Sequence, residues 1–166
     1  MKRYLFQARI PLTFYDYYEM LTFDLIRSIA DESRGCTFQN RSIGQVGYSM
    51  KIAEIKNALN ATVLSGEEQM EETVVGGGSA DLMEDVLAAA TEGCALLTGV
   101  VTEQVVRTAI IAKVGVIVFV RGKQPQERVI HLAASYGIPL LCTQHSLFVA
   151  SGKLYMEGLR GLDGSW

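Results

Sequence analysis

The sequence predicts an α/β domain of three layers, a mainly parallel sheet with helices on each side, preceded by an aromatic-rich N-terminal segment. Three observations carry this reading. Four apolar runs, TVVGG, CALLTG, VGVIVFVRG and IPLLCT, recur with helix-period segments between them, in the order β-α-β-α-β-α-β. Within the third run, VIVFV is apolar at every position, as in a parallel strand covered from both faces. Nine of the fourteen aromatic residues fall in the first 49 positions, so the composition breaks near Met50.

Before the break, YDYYEMLTFDLIRSIADE has the spacing of a helix that buries Tyr18, Leu21, Leu25 and Ile29, and ESRGCTFQNRSIGQVGYS reads as loop. The expected organisation is an N-terminal extension over 1–49, helix plus loop, and a domain over 50–166. A translation start at Met50 is the simpler alternative for the same break.

After it, residues 51–59 predict a short helix with Ile52, Ile55 and Leu59 inward, and ATVL a first strand ending at Ser65 and Gly66. EEQMEE is a solvated acidic loop. Asp81 with Glu84 three residues on has the form of a capping box, followed by a stripe of Leu82, Met83, Val86, Leu87 and Ala90. Thr102 is placed to cap the next helix, with Val105, Val106, Ala109 and Ile110 inward. Pro125 suits a first helical position and Gly137 a C-terminal cap, bracketing a helix that buries Val129, Leu132, Ala133 and Tyr136. The last helix is predicted to be short, about SLFVAS.

Composition excludes several function classes. With 49% apolar and 20% charged residues, the 166-residue chain can bury a real core. A net charge of −3 without clustered Lys and Arg argues against nucleic acid. The longest apolar run, GVIVFV, is far short of the roughly 20 residues a membrane helix needs. Three scattered cysteines, Cys36, Cys94 and Cys142, suit free thiols in the cytoplasm. Cys142 and His145 form a lone C-x-x-H, too few ligands for a metal, so neither metal nor cofactor is expected.

Right-handed crossovers between parallel strands bring the strand carboxyl ends to one edge, where open α/β sheets bind ligands. That edge collects Gly76, Gly77, Gly78, Ser79, Asp81, Thr98, Gly99, Arg121, Gly122 and Thr143 as candidate ligand-binding residues. Gly76–Gly78 followed by Ser79 and Ala80 matches neither phosphate motif. The Walker loop needs Lys then Ser or Thr, and the dinucleotide fingerprint needs glycine where Asp81 stands. The glycines therefore read as a sharp turn into a helix that Asp81 caps. Arg121 can hold a carboxylate or phosphate, or pair with an acid such as Asp81. Neither His131 nor His145 has an obvious partner for catalysis, and no G-x-S-x-G occurs.

From Met50 to Gly164 the ordered series KIAEIKNALNATVLSGEE, GGSADLMEDVLA, LLTG, VIVFVRGKQP, LAASYGIPLLCT and LFVASGKLY resembles the DRTGG domain family, especially its stand-alone members. The resemblance implies a Rossmann-like fold similar to the N-terminal domain of HPr kinase, and it carries over no catalytic residues. Related domains accompany CBS domains in some inorganic pyrophosphatases and stand at the N-terminus of some phosphotransacetylases. One departure is visible: after LLTG this chain reads VVTEQVVRTA, where many members carry further glycine and an Asp-Arg pair.

The function expected from all this is a non-catalytic regulatory or interaction domain, a homodimer that senses a small anionic metabolite or nucleotide. The alternative, implied by the resemblance to stand-alone members that accompany such systems, is an accessory or assembly subunit of an anaerobic redox enzyme system such as iron-only hydrogenase, acting by protein contacts.

Overall fold

A computed structural model describes residues 49–162, and the helix expected within 1–49 lies outside them. The described residues form a five-stranded sheet in the order β2-β7-β6-β5-β4, together with a two-stranded antiparallel ribbon of β1 (Met50–Lys51) and β3 (Thr73–Val74). In the main sheet β4 (Gly77–Ser79), β5 (Ala95–Thr98), β6 (Val116–Phe119) and β7 (Leu140–Cys142) are parallel. Only β2 (Thr62–Ser65) runs antiparallel, against β7 at the sheet's end.

The parallel strands are adjacent in chain order, so the sheet is wound in one direction. Right-handed crossovers then place all three connecting helices on one face. These are α2 (Met83–Ala89), α3 (Glu103–Ala112) and α4 (Glu127–Ser135). The other face carries α1 (Ile52–Ala58) and α5 (Leu147–Met156).

Two cores follow from the period-2 alternation of the strands. Leu97, Val118 and Leu141 point toward α1 and α5, where Ile52, Ile55 and Leu154 meet them. Leu96, Ile117 and Phe119 point toward the crossover helices and pack on Val86, Val105 and Val129. Phe119 is wholly inaccessible to solvent. Burying a side chain of that size stabilises the fold by about 1.5–3 kcal/mol relative to leaving it in water.

Helix faces match the predicted stripes at Ile52, Ile55 and Leu59, at Val105, Val106 and Ala109, and at Val129 and Ala133. Gly137 follows the end of α4 with φ +66°, as a C-terminal glycine does. Several local expectations are overturned. Tyr136 is exposed rather than buried, because it is the C-cap residue and lies past the stripe. Pro125 precedes the N-cap Gln126 and is buried there, one step outside the helix. Leu82 is the N-cap of α2 and is exposed. Thr102 occupies the N-cap of α3 without a side-chain hydrogen bond. The last helix is ten residues long, not six.

The largest correction concerns Gly76 to Ser79. The predicted turn is a strand: Gly77, Gly78 and Ser79 pair in parallel with Ala95, Leu96 and Leu97. None of the three glycines has a positive φ. Their use is close approach. A Cβ on Gly77 would stand 2.8 Å from Leu159 Cδ2, and the Gly77 amide donates to the Arg160 carbonyl at 2.9 Å. A parallel bridge between Gly77 and Gly161 then covers the outer side of β4.

Candidate functional site

The carboxyl ends of β5 and β6 meet the segment after β4 at a polar cluster. β4 ends at Ser79, and Asp81 follows before α2 starts. Its carboxylate does not cap α2. Oδ1 instead accepts from the Gly99 amide at 2.6 Å and from Thr98 Oγ1 at 3.0 Å, while Oδ2 faces the Arg121 guanidinium at 3.3 Å. The local box pattern lost because the end of β5 offers two donors at once. Those bonds hold the Asp81 carboxyl below its usual range: the Gly99 amide is the main cause, burial opposes it, and Thr98, Arg121 and Lys123 assist.

Arg121 immediately follows the buried Val120 and has φ +63°, a region costly for a side chain with a Cβ. Its conformation is fixed from the backbone. The Arg121 amide donates to the His145 carbonyl and the Gly122 amide to the Thr143 carbonyl, each at 2.8 Å. The guanidinium lies over Gly99, where any Cβ would collide with it. Lys123, two residues on, donates from Nζ to the Gly99 carbonyl at 2.6 Å. Two cations thus flank one carboxylate on an open edge, with the Arg121 and Asp81 side chains 49% and 46% exposed.

Of the ten candidates, the structure brings Asp81, Thr98, Gly99, Arg121 and Gly122 together. Thr143 lies beside them but turns inward, fully buried, with Oγ1 donating to the Leu59 carbonyl at 2.7 Å. Gly77, Gly78 and Ser79 line a groove of about 560 Å³ beside α5, and Ser79 Oγ shares a 2.6 Å hydrogen bond with Ser151 Oγ. Gly76 is buried beneath Leu162 and the Arg160 carbonyl.

Sequence reasoning missed Lys123. The signal was the RGK triplet itself, since a turn at Gly122 returns the second cation to the side of the first. Val100 and Val101, where the family pattern differs, are partly buried against the helix-side core.

Among the described residues, no three His, Cys, Asp or Glu side chains converge to hold a metal ion. Cys94 and Cys142 are free and buried, and burial pushes both thiols up from their ordinary value. Among the same residues no helix is long and apolar enough to cross a membrane.

A model of the DRTGG domain family matches residues 54–155. The chain belongs to the DRTGG domain family. Among solved structures it is similar to the CBS and DRTGG domains of the regulatory region of Clostridium perfringens pyrophosphatase, complexed with the activator diadenosine tetraphosphate. The TM-score is 0.54 and the identity 23%, over 66% of this chain and 46% of that one. That likeness shows a shared fold, and the chain spans under half of that regulatory region. No curated protein matches the chain.

Proposed function

We propose that this DRTGG domain is a non-catalytic, cytoplasmic regulatory module. In this reading it works as a homodimer and senses a small anionic metabolite or nucleotide at the ends of β5 and β6. The observation that carries the reading is Arg121. A half-exposed guanidinium is held on a left-handed backbone, packed on a glycine and balanced by one carboxylate, with Lys123 beside it. Local strain of this kind at a sheet edge marks places where a side chain's position matters more than its comfort. An anion entering there would take over the guanidinium from Asp81 with bidentate geometry. The pyrophosphatase regulatory region that shares the fold is complexed with a nucleotide activator, which supports an anionic ligand class. The alternative, an accessory subunit of a redox enzyme, would need no anion at this edge.

Titration calorimetry with inorganic phosphate, AMP, ATP and diadenosine tetraphosphate tests the reading. At least one should bind the full chain, and a ligand that binds only the folded state should raise its melting temperature. Arg121→Ala should then weaken binding by about 1.5–3 kcal/mol, the worth of hydrogen bonds to a charged group. Its folding should hardly change, because an exposed ion pair stabilises little. An unchanged dissociation constant in Arg121→Ala would remove the site from this edge, and binding by none of the four probes would remove the sensing role.

A further inference from the structure

Helix α5 is apolar on two sides. Its inner face buries Ala150 and Leu154 against the sheet. Its outer face presents Phe148 and Met156, 89% and 83% exposed, with Val149 and Tyr155 beside them. The positions 148, 149, 152, 155 and 156 follow the i, i+1, i+4, i+7, i+8 spacing of one stripe. Helix α4 shows what a solvated face looks like in the same domain: there Glu127, Arg128, His131 and Ser135 are outward.

Gly152 sits at the middle of the outer stripe. Among the described residues, a Cβ there would meet nothing within 4 Å. Glycine costs an exposed helix stability relative to alanine, and nothing among the described residues requires it. What it does provide is a place where another backbone can come close.

We propose that a second copy of this chain packs on α5, the two helices running antiparallel across a two-fold axis at Gly152. This rests on the homodimer reading above and names its surface. The register is self-complementary. With Gly152 facing the partner's Gly152, Phe148 meets the partner's Met156, and Val149 meets the partner's Tyr155. Every large apolar residue of the stripe thus finds another, as an isologous contact requires. Sulfur against an aromatic ring is itself favourable, and antiparallel helix dipoles attract. Arg160 stacks over Tyr155 at 4.4 Å and donates to the Tyr155 carbonyl, which holds that ring in place before pairing.

The area is sufficient. From the exposures of the four stripe residues, roughly 500 Å² per protomer or about 1,000 Å² in total would be covered, the lower bound for a specific interface. The groove of about 560 Å³ along β4 is lined by the same Phe148, Gly152, Tyr155 and Met156, and extends the surface only by its β4 side at Gly77, Gly78 and Ser79. A membrane surface is a poor occupant, since such helices need a basic polar face and α5 carries one basic residue, Lys153, with Glu157 at its C-cap.

Sedimentation of the full chain at micromolar concentration should give twice the chain mass. Phe148→Glu should reduce it to the mass of one chain while keeping the melting curve cooperative, and Tyr136→Glu, on the opposite helix layer, should leave it unchanged. In a Cys36→Ser background, Gly152→Cys should form a covalent dimer. There two introduced thiols reduce one oxidised glutathione to two glutathiones and join as a disulfide, which the close approach at the axis permits. A monomeric wild type would overturn both this inference and the homodimer reading. A dimer that survives Phe148→Glu and fails to cross-link at position 152 would overturn the surface alone. Calorimetry at Arg121 reports on ligand sensing independently of either result.

Discussion

Two glycine-bearing regions of this domain look alike in sequence and do opposite things. At the sheet's edge, Gly76, Gly77 and Gly78 keep φ out of the left-handed region, and their missing side chains let Leu159, Arg160 and Gly161 lie against β4. At the strand ends, Gly122 follows Arg121 in the left-handed region, and Gly99 leaves the space that the guanidinium occupies. The first set serves the packing of the chain on itself. The second set holds a charge on display. Runs of glycine report that something comes close, and only the fold says whether it is backbone, side chain or solvent.

Substitutions can break that comparison at each point. The largest effect is expected at Gly77, where alanine would press its Cβ on the buried Leu159 at 2.8 Å. Overpacking of this kind costs about 1–3 kcal/mol, readable by urea denaturation. Gly78→Ala is the matched control, since among the described residues its Cβ would touch Leu162 alone, at an ordinary 3.5 Å, and stability should change little. Equal losses at the two positions would mean that β4 needs glycine for its backbone after all.

Next comes Gly122→Ala, with φ +63° and Gln144 in the way of a Cβ. Alanine there should lower stability by about 1 kcal/mol or more. A loss confined to ligand binding would instead assign Gly122 to the site alone.

Among the substitutions expected to destabilise the fold, Asp81→Ala has the smallest effect. It removes an acceptor from Gly99 and Thr98, but the carboxylate is nearly half exposed and solvent screens it, so about 1 kcal/mol is expected at neutral pH. The sign with pH is fixed. A carboxyl held below its ordinary value of 3.8 contributes fully above that value and loses its contribution as pH falls through the folded one. Wild type and variant should therefore converge in acid, and a difference that stayed constant down to the acid limb would exclude the charge as its source.

Much of the fold was legible because buried helix faces and apolar strands leave periodic marks. Ile52, Ile55 and Leu59, or Val105, Val106 and Ala109, could hardly face anywhere else. β4 was illegible for the converse reason: three glycines carry no side chains to alternate, and its strand character exists only through pairing with β5 and Gly161. The end of α5 was hidden because Gly152 resembles a stop signal and a helix apolar on both sides has no clear period. The geometry of the candidate site was half visible. Arg121 and Asp81 were named from their places at strand ends, but Asp81's choice of Gly99 over its own helix is a tertiary decision, and Lys123 reached the cluster through a turn that no periodicity announces.

The segment from Thr143 to His145 ties these parts into one mechanical unit. Its two carbonyls hold the amides of Arg121 and Gly122, its buried hydroxyl anchors to Leu59, and the next residue, Ser146, caps α5 by accepting from the Val149 amide. A force that moved the guanidinium would pass through three residues before reaching the helix that carries Phe148 and Gly152. Any free energy by which occupancy of the polar edge favours pairing of α5 must equal that by which pairing favours occupancy. A short hydrogen-bonded strap of this kind is the connection such reciprocity needs.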